Sequence, residues 1–102
     1  MNEPIFENEE PIGVDCCFQA KGDSMIYARI FDGDLVLVNR QAAIENGDLC
    51  LLLLDNAAMV RRVYFEGNEI VLFAENPMYK SVRCTLDQIR IIGKPVGVIF
   101  HQ

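Results

Sequence analysis

The chain is short of basic residues, histidine and long apolar runs, and each shortage closes off a class of function. Nine Lys and Arg stand against fifteen Asp and Glu, for a formal net charge of −6. Only Arg61-Arg62 sets two cations side by side, so the chain has no basic patch of the kind that neutralises phosphates. The acidic stretch up to Pro11 holds no 3.6-residue apolar period, which leaves no helix-turn-helix to enter a DNA groove. The longest apolar run, Leu49 to Leu54, is far short of the ~20 residues that span a bilayer. Met1-Asn2-Glu3-Pro4 lacks the positive flank of a secretory signal, so a cytoplasmic protein without membrane contact is expected. One histidine and four cysteines, Cys16, Cys17, Cys50 and Cys84, match no metal-ligand spacing. Neither a metal nor another cofactor is expected, and buried, reduced thiols are the simple reading of the cysteines. No internal repeat or low-complexity segment occurs.

What the chain does have is apolar residues arranged for strands. At 102 residues and 51% hydrophobic content it suits one domain with a real core. Residues 1–13, with two prolines and several acidic residues, read as a flexible leader or linker stub, and residues 14–102 as the domain. Strands are expected over Val14 to Ala20, Leu35 to Asn39, Asp48 to Leu54, Ala57 to Phe65 and Glu69 to Ala74. Turns at Asp32-Gly33-Asp34, Asn46-Gly47, Asp55-Asn56 and Glu66-Gly67-Asn68 separate them. Asp48 to Leu54 is apolar at almost every position, the mark of a strand buried on both faces. Alternation puts Met59, Arg61, Val63 and Phe65 on one face of their strand and leaves Arg62 on the other, where it is more easily solvated. Thr85 to Gln88 reads as one helical turn. Arg90 to Gly93 and Val96 to Phe100 close the domain as two strands around Lys94-Pro95, because Pro cannot donate to a ladder. The fold class is therefore mostly β, a compact domain of short, strongly bent strands with at most one or two helical turns.

One loop carries chemistry. Gly22-Asp23-Ser24-Met25 places a hydroxyl in a glycine-containing turn just after an apolar stretch, where a nucleophile can be exposed and flanked by backbone N–H groups of Asp23, Ser24 and Met25. The same residues also make ordinary turns, so the tetrapeptide alone leaves both readings open.

The loop does not stand alone. Phe18-Gln19-Ala20-Lys21, Asp32-Gly33-Asp34-Leu35-Val36, Asn46-Gly47-Asp48, Met59-Val60-Arg61-Arg62-Val63, Ala74-Glu75-Asn76-Pro77-Met78-Tyr79 and Ile92-Gly93-Lys94-Pro95-Val96-Gly97-Val98-Ile99 follow in order. Together they resemble the C-terminal domain of LexA-type repressors, a family that includes phage repressors and the UmuD mutagenesis proteins. The resemblance implies the compact β fold of that family and of signal peptidases, and a serine–lysine dyad that cleaves its own chain. It makes Ser24 the nucleophile. The general-base Lys of the family lies in a Val-Lys-Arg type segment, and the ungapped position here is Arg61.

A Lys near pKa 10.4 must shift by about 3 units, about 4 kcal/mol, to act as a base near neutrality, and burial can supply that. An Arg would need about 6 units, some 8 kcal/mol, and is effectively never deprotonated in proteins. Self-cleavage is accordingly expected to be absent or weak. Lys21 and His101 are the remaining candidate bases, read more simply as a solvated strand-end charge and a frayed terminus. Neither Ala-Gly nor Cys-Gly, the family's usual scissile dipeptides, occurs in the chain.

On the residues alone, Val96, Val98 and Phe100 are a same-face apolar set whose default reading is ordinary core; the resemblance implies instead a homodimer with these three at the seam. It implies DNA binding only through a helix-turn-helix domain absent from this chain, and a RecA-type filament as a partner. Three functions follow as expectations: the regulatory and dimerisation domain of a repressor, impaired at Arg61; an active serine autopeptidase of the same family; or a UmuD-like accessory protein of the SOS response.

Overall fold

A strand buried on both faces is the axis of the domain. In the computed structural model, which describes residues 13–101, seven strands follow in chain order: β1 (Cys16–Gln19), β2 (Leu35–Asn39), β3 (Leu49–Leu54), β4 (Ala57–Glu66), β5 (Glu69–Phe73), β6 (Val82–Thr85) and β7 (Ile89–Ile99). They form one antiparallel sheet in the order β1-β2-β7-β3-β4-β5-β6. The mostly β fold class is as expected, with 3₁₀ turns at Ile26–Ala28 and Leu86–Gln88 as the helical pieces among the described residues. Nearly all of the leader read at 1–13 lies outside those residues.

Because side chains alternate along a strand, β3 feeds two cores. Leu51 joins Ala20, Met25, Ile30, Val36, Val38 and Val60 in one cluster. Cys50 and Leu52 join Val63, Ile70, Leu72 and Cys84 in the other. Hairpin β3–β4 turns through Asp55 and Asn56, both at positive φ, as a two-residue loop requires.

Sequence and structure part at β7. The two strands expected around Lys94-Pro95 are one strand of eleven residues, bent rather than broken. Its pairing with β3 skips Ile92 and its pairing with β2 skips Val96, so a bulge falls on either side of Lys94-Pro95. A bulge accommodates a proline that a regular ladder would reject. Between the bulges Gly93 passes so close to β2 that a Cβ there would lie 2.7 Å from the Asn39 carbonyl oxygen and 2.7 Å from a Val38 methyl. Backbone cannot yield cheaply, so Gly93→Ala is expected to lower stability by about 1–3 kcal/mol, read from the urea midpoint at unchanged m-value.

Four smaller expectations also change. Strand β6 escaped the sequence reading. Arg62 is half-buried and paired, not solvated, with Nε 3.0 Å from Glu75 Oε2 and Nη1 donating to the Gly47 carbonyl. Cys17 is exposed, whereas Cys50 and Cys84 are buried and all four thiols are free. Burial, helped by the Asp48 charge, pushes the Cys50 thiol up to about 12, so it is inert.

His101 is tied down instead of frayed. Its backbone N–H donates to Asp34 Oδ1 at 2.8 Å, and Phe31 N–H donates to Oδ2 of the same carboxylate at 2.8 Å. These two bonds, with a smaller contribution from the His101 charge, hold buried Asp34 below the ordinary aspartate range against the opposing effect of burial. A depressed folded-state pKa stabilises above the unfolded value of about 3.9 and ceases to do so as pH falls through the folded value. The stability gap between the parent and Asp34→Asn is therefore expected to be full at pH 6 and to narrow below about pH 4 in urea titrations.

Candidate functional site

The Ser24 loop hangs between buried anchors. Ala20 precedes it and Met25 and Ile30 follow, all three sunk into the first core cluster, so the intervening residues must arch outward. Gly22 adopts φ 79, a conformation that favours glycine, and its N–H donates to Asp32 Oδ1 at 2.7 Å. The Asp32-Gly33-Asp34 turn thereby serves the loop from one side and the chain end from the other.

The segment after β5 clamps the opposite flank. Asn76 Nδ2 donates to the Asp23 carbonyl at 2.8 Å, and Tyr79 Oη donates to Asp23 Oδ1 at 2.5 Å. Tyr27 N–H reaches the Glu75 carbonyl at 2.8 Å, and Glu75 N–H reaches Met25 Sδ at 3.4 Å. The residues before and after Ser24 are thus held from the same turn, and that turn is tied to β4 by the Glu75–Arg62 pair. Asn76 is buried and its Oδ1 accepts from Met78 N–H, so both ends of its amide are used. Sequence reading gave Asn76 and Tyr79 no part in the site, although both lie in one of the motifs that carried the family resemblance.

Arg61 meets this loop from β4. Its Nη1 donates to Ser24 Oγ at 3.0 Å and to the Val60 carbonyl at 2.8 Å, across 37 residues in the first case. Burial lowers the guanidinium from its ordinary value, with the Tyr79 phenol partly opposing. The two side chains sit on the wall of a cleft of about 380 Å³ whose apolar lining includes Phe18, Met25, Ile30 and Met59. Lys21 lines the same cleft, but His101 does not. Along 57–61 the edge of β4 facing away from β3 has no strand partner among the described residues, because β5 pairs only from Arg62 onward.

The remaining predicted residues lie elsewhere. Val98 pairs with Val36 and packs against the first core cluster, Val96 is the bulged residue, and Phe100 is 60% exposed just beyond β7. The bulge interrupts the regular alternation expected of the three. Strand β7 has β2 on one edge over 94–99, and β3 on the other only up to Gly93. Among the described residues no group of His, Cys, Asp and Glu could hold a metal ion, and no helix is long and apolar enough to cross a membrane.

The chain is similar in sequence to known proteins. The model of the family described as Peptidase S24-like matches residues 3–96. The LexA repressor of Oleidesulfovibrio alaskensis is 45% identical over 89 residues, covering 84% of this chain and 43% of that protein. The LexA repressor of Magnetococcus marinus is 44% identical over 102 residues, covering 99% of this chain and 44% of that protein. That of Desulforamulus reducens is 44% identical over 79 residues, covering 78% and 36%. The chain spans less than half the length of these curated relatives.

Proposed function

The chain belongs to the Peptidase S24-like family, and from that membership we propose that it is the regulatory and dimerisation domain of a LexA-like repressor in which self-cleavage is absent or weak. Ser24 holds the nucleophile position and Arg61 the position of the general base. The observation that carries this reading is the 3.0 Å bond from Arg61 Nη1 to Ser24 Oγ. A base must accept the hydroxyl proton, whereas a guanidinium has only donors, so this contact occupies an oxygen lone pair and leaves the proton in place. Burial moves Arg61 in the right direction, but the drop of about 6 units needed for catalysis near neutrality, some 8 kcal/mol, is beyond what a half-open cleft supplies.

Dimerisation rests on β7. Its edge away from β2 over 94–99, which has no strand partner among the described residues, with Ile99 and Phe100 exposed beside it, suits antiparallel addition of the same strand from a second copy. In such a dimer Val96 and Phe100 flank the seam while Val98 serves mainly as core. Two linked copies would hold two DNA-reading domains at high effective concentration on a palindromic operator, and a RecA-type filament is the partner that would act on such a repressor.

The test is a cleavage assay on the parent chain with a peptide copied from the linker of a LexA repressor. No Ser24-dependent product is expected between pH 7 and 10. Product that disappears in Ser24→Ala overturns the reading, and its further loss in Lys21→Ala would identify Lys21, on the wall of the same cleft, as the working base.

A further inference from the structure

Among the described residues, the cleft cation Arg61 has no counter-ion. Among the described residues no carboxylate lies within ion-pair distance of Arg61, although Arg62, Arg83 and Lys94 all have one. The nearest acidic residue in sequence to Ser24, Asp23, spends its carboxylate on the Tyr79 hydroxyl instead. Both bonds that Arg61 makes go to neutral oxygens and both use Nη1, which leaves the rest of the five-donor fork for another acceptor. Half-burying a guanidinium without a carboxylate is unfavourable, so an incoming anion gains from a desolvation already incurred by the fold. Lys21 on the cleft wall adds a second positive charge.

The geometry also limits the shape of that anion. Arg61 Nη1 is folded back onto the Val60 carbonyl, which keeps the fork at the level of the β4 backbone. Beside it runs the β4 edge over 57–61, which has no strand partner among the described residues and whose N–H and C=O groups can take an added strand. The cleft floor is apolar. A chain laid along this edge would bring its backbone axis, not a side chain, to the guanidinium.

We propose that this cleft is a binding site for the free C-terminal carboxylate of an extended, apolar peptide, with Arg61 as the bidentate partner and the Ser24 hydroxyl as a second donor. The site rests on the reading that Arg61 stays protonated beside Ser24, and it turns a position of proton abstraction into one of anion recognition. No bond is made or broken: Ser24 donates its proton to the carboxylate while still accepting from Arg61.

The experiment titrates the full chain with acetyl-Val-Val-Ala as the free acid and as the C-terminal amide, followed by NMR shifts of the cleft amides. The acid is expected to bind roughly tenfold or more tightly than the amide, with the preference shrinking as salt rises. Arg61→Gln is expected to erase the preference while leaving the dispersed spectrum intact. Equal binding of acid and amide, a preference surviving Arg61→Gln, or no binding of either would overturn the proposal. An amidated peptide carrying its carboxylate on an aspartate side chain overturns the assignment to a chain end if it binds as well as the acid. Running the titration in parallel on Ser24→Ala separates this outcome from the other: cleavage by the parent would sink the proposed function, whereas loss of the acid preference in both proteins sinks only the carboxylate site.

Discussion

Arg61→Lys is expected to switch on Ser24-dependent cleavage of a LexA-linker peptide, raising the rate by roughly 10²–10⁴-fold over the parent, the usual contribution of a positioned general base. An ammonium at this position enters the environment that already lowers the guanidinium, half-buried on the wall of a largely apolar cleft. Lysine needs only about 3 units of that effect to be half deprotonated near neutrality, against about 6 for arginine. Because the neutral amine is the active form, the rate should rise with pH through the depressed lysine value and then level off. Equal cleavage by both proteins, or by neither, would reject the assignment of Arg61 as the block. On the proposed reading the chemistry is asymmetric: an arginine in place of a proton acceptor would disable the step, while its guanidinium, 3.0 Å from Ser24 Oγ, still orders the hydroxyl.

The second large effect concerns a residue that touches no reacting atom. In the Arg61→Lys protein, adding Asn76→Ala is expected to lower the cleavage rate about 10–100-fold. The Asn76 amide holds the Asp23 carbonyl, one residue before Ser24, and truncating it lets the hydroxyl drift. Misplacement by about 1 Å costs on the order of 10²-fold where attack geometry is demanding. The same change leaves the Asp23 carbonyl and the Met78 N–H without partners, for a stability loss of about 1–3 kcal/mol. Hydrogen exchange separates the two consequences: the Ser24 loop amides should lose protection far more than β3, which belongs to both core clusters. Uniform loss across the sheet would mean that Asn76 is only a stabilising residue.

Much of this was legible in the residues. Asp48 to Leu54 announced a doubly buried strand because no position on it was polar after Asp48, and β3 indeed feeds both cores. Local chemistry is strong at the hairpin turns, where Asp55-Asn56 and Gly67 supply the positive φ that tight loops need. The ends of β2 coincide with the expected Leu35 to Asn39 for the same reason: a Gly-Asp turn before it and polar residues after it. The pairing of Ser24 with Arg61 could be read because both lie in short motifs whose spacing the family resemblance supplies, and the structure brings the two side chains into hydrogen-bond contact.

Other features were hidden because their causes are not local. Gly93 and Lys94-Pro95 look like a break, yet the ladders to β2 and β3 on either side carry the chain through with two bulges. Arg62 looked solvated because alternation says only which face a residue takes, and Glu75 and the Gly47 carbonyl happen to wait on that face.

By itself, then, the amino-acid order determined a mostly β architecture, an acidic balance with no run of basic residues beyond Arg61-Arg62, a hydroxyl in a glycine-containing loop and an arginine that keeps its proton. Those properties follow from periodicity, turn conformation and the proton affinity of one side chain, each of which acts within a few residues. Tertiary structure alone decided that Asn76 grips the Ser24 loop across 53 residues and that, among the described residues, Arg61 has no carboxylate partner and the β4 edge beside it over 57–61 has no partner strand. Hydrogen bonds and ion pairs reach only about 3 Å, and which distant groups fall within that distance is set by how the two cores close around β3.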